Sequence, residues 1–130
     1  MRTSLRTAIA AAGIVGLLAT GPIASANDDD VIKEGSCSAG SDWKLKLSPE
    51  NGKTEVEFEV DQNKVGDTWR VKIAQNGERI FRGRRVTKAP SGSFELRIVA
   101  ANPPGTDAYR ASARNLSTGE TCVGRASISV

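Results

Sequence analysis

The sequence predicts an all-β domain, an antiparallel β-sandwich of about seven strands. Three observations lead to this prediction. Apolar and polar residues alternate with a period of two along most of the chain after residue 37. Gly, Pro, Asn and Asp residues separate the alternating runs at short intervals, as turns require. No stretch of useful length has the i, i+3, i+4, i+7 apolar spacing of an amphipathic helix.

Residues 1–26 are predicted to be a cleaved signal peptide. Arg2 and Arg6 form a basic start, residues 8–18 are apolar, and residues 24–26 (ASA) match a small-x-small cleavage pattern. The apolar run is shorter than the roughly 20 residues of a membrane-spanning helix. Removing Arg2 and Arg6 lowers the net charge of +3 by two units, so total charge does not argue for a polyanionic partner. We therefore expect a secreted protein without a membrane span.

Residues 27–36 are predicted to be a flexible acidic tether, because they are polar and show no alternation. The β-sandwich domain is then residues 37–130. Its expected strands are the alternating runs 43–47, 56–60, 69–73, 79–87, 94–98, 109–113 and 122–130.

Turn-forming residues are expected to join these strands. Pro49 to Gly52 ends the first strand, and the Asn76-Gly77 pair favours a type I′ hairpin turn because both residues accept positive φ. Pro103 and Pro104 cannot donate ladder hydrogen bonds, so residues 102–105 are expected to form a loop.

Cys37 and Cys122 are the only cysteines, and we expect them to form one structural disulfide in an oxidising compartment. Cys37 has the parity of Trp43 and Cys122 has the parity of Ile128, so both sulfurs should point towards the core. A metal site or a redox pair lacks support, since the chain has no histidine and no C-x-x-C spacing. No cofactor is expected.

Residues 109–115 (YRASARN) and 118–120 (TGE) resemble the F strand and the F–G turn of immunoglobulin-like domains. Trp69 matches the buried tryptophan on strand C of that family. The resemblance implies an immunoglobulin-like sandwich. The chain departs from the antibody-type pattern at Ala111, which stands where those domains carry their second core cysteine.

A second resemblance covers nearly all of the mature chain. It is carried by the runs 58–63 (FEVDQN), 69–71 (WRV), 76–77 (NG), 91–95 (SGSFE), 105–107 (GTD) and 118–122 (TGETC). These runs are similar to those of uncharacterised small secreted single-disulfide proteins of high-GC Gram-positive bacteria. The resemblance implies secretion and a fold, and it implies no catalytic residue.

Enzymatic activity is not expected. The absence of histidine excludes Ser-His-Asp and Cys-His arrangements. Glu55, Glu57 and Glu59 lie about 7 Å apart on one strand face, which suits a glycosidase carboxylate pair on distance alone. An outward strand face is ordinarily charged, however, and Lys44, Lys46 or Arg97 are candidate cross-strand partners for these carboxylates.

No metal site is expected either. Residues 61–67 (DQNKVGD) begin like an EF-hand loop, but Val65 occupies a ligand position and Lys72 stands where the bidentate glutamate belongs. A polar turn between two strands is the better interpretation.

The most local functional signal is a cluster of five cations within ten residues, Arg79, Arg82, Arg84, Arg85 and Lys88. The electrostatic field of this cluster persists locally although the whole chain is nearly neutral, because charges more than a Debye length away do not cancel it. Our hypothesis is therefore a secreted, non-enzymatic binding module for an anionic cell-wall or extracellular polymer. The alternative is an edge strand whose charge prevents aggregation, paired with the Glu-rich strand. Only Phe81 interleaves with the cations, which gives little support for stacking on bases or sugars.

A second functional hypothesis is a secreted protease inhibitor that acts through an exposed loop. Residues 88–92 and 102–107 are the candidate loops, although prolines also rigidify loops for purely structural reasons. In either case we expect a monomer.

Overall fold

The structure, a computed structural model, describes residues 29–129. The predicted signal peptide lies outside the described residues. The described chain forms eight β-strands: β1 (Val31–Ser36), β2 (Asp42–Glu50), β3 (Lys53–Asp61), β4 (Thr68–Gln75), β5 (Glu78–Val86), β6 (Ser93–Ala101), β7 (Thr106–Asn115) and β8 (Thr121–Ser129). Within this range there is no helix of the length and apolarity needed to cross a membrane. The all-β prediction is confirmed.

The strands form two antiparallel sheets. The first sheet has the order β1-β2-β3-β6, and the second has the order β8-β7-β4-β5. Strands β1 and β8 meet along one side of the molecule, and β5 and β6 meet along the other. The sheets enclose one core, in which the Trp69 ring of the second sheet lies 6.1 Å from the Phe94 ring of the first. This arrangement is that of a β-sandwich.

The alternation in the sequence determines which side chains reach this core. Val56, Phe58 and Val60 on β3 are fully buried, and the intervening glutamates are half-buried on the outer face. The same alternation buries Trp69, Val71 and Ile73 on β4. Because side chains along a strand point to opposite faces, each sheet has one apolar and one polar surface.

Two hairpin turns are built from Asn-Gly pairs. Asn76 and Gly77 have φ values of 52° and 86°, which is the positive-φ pair predicted for a type I′ turn. Asn51 and Gly52 have φ values of 52° and 78°. The first hairpin therefore turns at Asn51-Gly52, and β2 continues through Pro49 to Glu50 instead of ending there.

The tether prediction for residues 27–36 was wrong for Val31–Ser36, which form β1 at the edge of the first sheet. This strand pairs with β2, placing Val31 opposite Leu47 and Gly35 opposite Trp43. Only Val31 of its apolar side chains packs against the core. An edge strand with so few core contacts needs no alternating pattern, which explains why the sequence did not indicate it and why the sandwich has eight strands.

Trp43 lies between two glycines at the side where β1 and β8 meet. A Cβ atom on Gly35 would come within 2.7 Å of Cζ2 of the indole, and one on Gly124 within 2.6 Å of Cζ3. Both separations are below the closest approach of real side chains, so these glycines create the space that the ring occupies. The indole thus helps to close the sandwich next to the disulfide.

Replacing Gly124 with alanine is expected to lower the free energy of unfolding by about 1–3 kcal/mol, because the new methyl group overlaps the Trp43 ring and forces repacking. Urea unfolding followed by tryptophan fluorescence measures the change. Ser127→Ala, at an exposed position of the same strand, is the matched control and should change the stability by less than about 0.5 kcal/mol. A Gly124→Ala protein as stable as this control would contradict the packing described for Trp43.

The predicted disulfide is confirmed. Cys37, in the turn between β1 and β2, is bonded to Cys122 on β8 across a sequence separation of 85 residues. Cys122 is buried and Cys37 is half-buried, and both belong to or pack against the core. The bond therefore links the two sheets covalently along the side where β1 and β8 meet.

Glu120 holds the Cys37–Ser41 turn against the second sheet. Its Oε2 atom accepts hydrogen bonds from the backbone N–H groups of Ala39 (2.9 Å) and Ser41 (2.8 Å), and Oε1 accepts one from the Ser41 hydroxyl (2.7 Å). Burial by itself raises the pKa of this carboxyl, but the hydrogen bonds from Ser41 and Ala39 outweigh it, and the pKa lies below its usual value. The charged form is therefore part of the folded structure.

Glu120→Gln is expected to lower the free energy of unfolding by about 1–3 kcal/mol at neutral pH, because the amide is uncharged and its NH2 group cannot accept hydrogen bonds. Since the folded-state pKa is depressed, the contribution of Glu120 is complete above its unfolded value near 4.5 and is lost as the pH falls through the folded value. Urea unfolding at several pH values should show the two proteins converging in acid. A stability difference that does not change with pH would contradict this role.

Candidate functional site

The outer face of the second sheet receives side chains from four strands, of which β4 lies in the interior of the sheet. Trp69, Val71 and Ile73 are fully buried. Arg70 and Lys72 lie between them and therefore point away from the core. Arg70 is half-buried and Lys72 is exposed.

Strand β5 adds three arginines to this outer face. Arg84 lies directly opposite Arg70, and Arg82 lies opposite Lys72. The register then shifts between Ile73 and Ala74, which places Arg79 opposite Ala74. Without this shift, Arg79 would share the inward parity of Phe81. The irregularity therefore brings Arg79 to the same face as Arg82 and Arg84.

Strands β7 and β8 complete the surface from the other side of β4. Arg114 lies opposite Arg70, and Arg110 lies opposite Ala74. On β8, Arg125 lies opposite Arg110. All three arginines are exposed. The cations of the four strands therefore share one surface.

We call this surface the basic face and define it by its eight cations: Arg70, Lys72, Arg79, Arg82, Arg84, Arg110, Arg114 and Arg125. No outward position of its four strands, as far as they are described, carries an acidic residue. None of the eight forms an ion pair with another described residue. Their charges are thus available to a ligand.

The outer face of the first sheet has the opposite charge, and we call it the acidic face. Its outward positions carry four cations and eight carboxylates; the cations are Lys44, Lys46, Lys53 and Arg97, and the carboxylates are Glu34, Asp42, Glu50, Glu55, Glu57, Glu59, Asp61 and Glu95. Packed sheets are about 10 Å apart, which is comparable to the Debye length in physiological salt. Each face therefore presents its own charge, although the whole chain is nearly neutral.

The structure places only three of the five predicted site residues on the basic face, namely Arg79, Arg82 and Arg84. Arg85 lies opposite the buried Trp69, and its guanidinium carbon is 5.4 Å from the centre of the Phe81 ring. Lys88 lies beyond the end of β5, where it forms an isolated bridge with Ser93. The predicted cluster is thus divided: Arg85 and Lys88 lie off the basic face, in a depression of about 450 Å³ that Arg84 also borders.

Phe81 lies opposite Ile73 and packs against the core. Phe81 therefore does not share a surface with the cations among which it lies in the sequence, because the register of β5 turns its side chain inward. The basic face consequently has no aromatic side chain at its described outward positions. Stacking on bases or sugar rings therefore has no platform there.

The prediction of β5 as an edge strand is confirmed, since it ends the second sheet. Its neighbour is β4, however, and not the Glu-rich strand β3. Arg82 and Arg84 of β5 therefore face Lys72 and Arg70 across the ladder, and not glutamates.

Five residues of the basic face were not singled out from the sequence: Arg70, Lys72, Arg110, Arg114 and Arg125. Each occupies an ordinary outward position of an alternating strand. The available signal was that every charged residue at the outward positions of 68–74, 108–114 and 121–127 is basic. Its meaning depends on the strand order, which brings these positions together.

The three glutamates of β3 are balanced by cross-strand cations, as predicted. Lys44 lies opposite Glu59, Lys46 lies opposite Glu57, and Arg97 bonds to the carboxylate of Glu55. Burial and the neighbouring Glu55 raise the pKa of Glu57. These carboxylates lie on an open sheet surface.

No group of potential metal ligands occurs among the described residues. The EF-hand-like run 61–67 forms the connection between β3 and β4, in which the Asp61 carboxylate accepts a hydrogen bond from Asn63 N (3.1 Å). Asp67 accepts hydrogen bonds from the side chains of Asn115 and Gln62, which lower its pKa. Its role there is structural.

The two loops considered for protease inhibition differ in their contacts with the rest of the domain. Residues 88–92 form a closed turn against the β3–β4 connection, where Gln62 N donates to Gly92 O (3.0 Å) and a Cβ on Gly92 would come within 2.2 Å of Lys64 N. Pro103, Pro104 and Gly105 are exposed at the opposite end of the sandwich. Both loops are largely exposed, since residues 88–91 are accessible and only Gly92 of the first loop is buried.

Comparisons of this chain with protein-family models, with curated proteins and with solved structures found no match.

Proposed function

We propose that this protein is a secreted, non-enzymatic module that binds an anionic polymer through the basic face. The observation that carries the proposal is the gathering of eight cations, free of ion pairs with other described residues, on one face of a four-stranded sheet. A surface of this kind attracts polyanions and gains affinity from the counterions that they release.

The shape of the surface favours a polymer over a small molecule. The basic face has two depressions of about 210 Å³ beside Arg70 and one of about 440 Å³ bordered by Arg110 and Arg125. Only the last is within the range of about 300–1,000 Å³ that is usual for sites enclosing small ligands, and its lining is mostly small or apolar residues with just two cations. A larger depression of about 480 Å³ lies on the acidic face, lined by Glu34, Asp42, Glu59 and Asp61, and would repel the same ligand. An extended chain can contact many cations of an open sheet without entering a pocket.

Secretion is supported by the leader-like residues 1–26 and by the disulfide, because such bonds persist in oxidising compartments. An immunoglobulin-like classification is supported by the strand order. If β2, β3, β4, β6, β7 and β8 are taken as strands A, B, C, E, F and G, the sheets have the orders A-B-E and G-F-C, with β5 in the place of C′. Strand β1 is then an addition at the edge beside A.

The proposal is tested by comparing two double variants of β5 and the residues that follow it. Arg82→Gln/Arg84→Gln removes two cations from the basic face, and Arg85→Gln/Lys88→Gln removes two cations that lie elsewhere. We expect the first pair to elute from a heparin-type or cell-wall polymer resin at clearly lower salt than the unmodified protein. The second pair should elute within a small margin of the unmodified protein.

Both variants have the same net charge, so a difference between them reports the position of the charge. Circular dichroism and thermal unfolding confirm that each remains folded. Lack of retention of the unmodified protein, or equal losses by the two variants, would rule out binding through the basic face.

A further inference from the structure

The centre of the basic face is a row of three arginines across three neighbouring strands. Arg114 on β7 and Arg84 on β5 both lie directly opposite Arg70 on β4. Directly opposite residues in a sheet have Cβ atoms about 4.5–5.5 Å apart. The three arginines therefore form one cross-strand row with Arg70 at its middle.

Two shallow depressions of about 210 Å³ each lie beside Arg70 and share it as a lining residue. One is lined by Arg70 and Arg114, with Arg110, Lys72 and the polar residues Ser112 and Thr121 around them. The other is lined by Arg70, Arg82 and Arg84. Each depression is thus bordered by at least three cations, and Arg70 contributes to both.

This arrangement suits a tetrahedral oxyanion better than a carboxylate. A guanidinium group presents N–H donors in a planar fork, and one fork satisfies the two oxygens of a carboxylate. Several forks that approach one depression from different strands need an anion whose oxygens point in several directions. Phosphate and sulfate both have this geometry, and both match a surface whose charged groups are all donors.

The basic face has few groups that could recognise the units linking the anionic groups of a polymer. The outward positions of the four described strands carry hydroxyl groups but no carboxylate, amide or aromatic side chain. The sugar rings of a sulfated or carboxylated polymer would meet no carboxylate or amide acceptor for their hydroxyl groups and no aromatic ring for their apolar faces here. A polymer with phosphate in its own backbone needs only the donors.

We infer that the basic face binds a phosphodiester polymer, with successive phosphates held in the two depressions on either side of Arg70. This inference rests on the proposed function and specifies its ligand. Arg70 borders both depressions, whereas Arg125, at the margin of the sheet, borders neither of them. One depression lies between β4 and β5 and the other on the β7 side of β4, so the polymer crosses the strands rather than running along one of them.

The inference is tested by measuring dissociation constants of the purified protein at one fixed salt concentration for three probes: poly(glycerol phosphate), poly-L-glutamate and heparin, at matched anionic charge. We expect poly(glycerol phosphate) to bind at least about tenfold more tightly than either other probe, which is roughly the effect of one charge-assisted hydrogen bond. Arg70→Lys keeps the positive charge but removes the planar set of N–H donors. It should weaken phosphate-polymer binding roughly tenfold, whereas Arg125→Lys should change it by less than about threefold.

The outcomes separate this inference from the proposed function. Equal affinity for all three probes, tighter binding of heparin or polyglutamate, or equal effects of the two lysine variants would overturn the phosphate inference while leaving polymer binding in place. Failure of all three probes to bind would overturn the proposed function itself.

Discussion

Replacing Arg70, Arg110 and Arg114 with glutamine is expected to weaken polymer binding about 100-fold, although none of these residues belongs to the basic cluster at 79–88. A cation near a polyanionic surface contributes about 1 kcal/mol, so three lost cations correspond to about 3 kcal/mol. The slope of log K against log salt concentration should become less steep, because fewer counterions are released on binding. Titration of an anionic polymer at several salt concentrations measures both quantities.

The matched control replaces Lys33, Lys44 and Lys53 with glutamine, at exposed positions of the first sheet. This triple variant has the same net charge as the first one but keeps the basic face intact. We expect its affinity and its salt dependence to remain close to those of the unmodified protein. If the two triple variants lose affinity equally, net charge governs binding and the basic face has no special role.

Removing the disulfide is expected to have the largest effect on stability. Cys37→Ser/Cys122→Ser should lower the free energy of unfolding by about 4–5 kcal/mol, because the bond closes a loop of 85 residues and restricts the unfolded chain. The bond also joins the two sheets at the side where β1, with few core contacts, meets β8. Hydrogen exchange should therefore show the loss of protection concentrated in β1 and the following turn.

Urea unfolding of the double serine variant and of the reduced protein measures the same contribution independently. The two should agree within about 1 kcal/mol, since both remove the same link from the unfolded state. Under conditions where the variant is folded, its polymer affinity should stay within about threefold of the unmodified protein, because the disulfide lies on the core side of the second sheet. A loss of stability below about 1 kcal/mol would contradict the structural role.

The period-two alternation predicted most of the fold because it records burial directly. Phe58 and Trp69 are apolar positions of the alternating runs predicted as strands, and both are fully buried. The Asn76-Gly77 turn was predictable because few residue pairs accept two successive positive φ values. Strand β1 escaped prediction because its pairing depends on β2 and not on an apolar pattern of its own.

The candidate site was less predictable because it depends on contacts between distant strands. Arg70 and Arg114 are 44 positions apart in the sequence and become neighbours only when β4 pairs with β7. Parity also misleads within β5, where the register shift moves Arg79 to the outer face while Arg85 stays inward on Phe81. The cluster of cations at residues 79–88 therefore indicated one strand of the basic face but only part of its residues.

The most direct test of this account is to map the amide chemical-shift changes of the protein on addition of poly(glycerol phosphate). We expect chemical-shift changes in β4, β5, β7 and β8, largest near Arg70, Arg84 and Arg114. The shifts of β2, β3 and β6 should change little. Changes concentrated on the acidic face or in the 102–105 loop, with the strands of the second sheet unaffected, would contradict it.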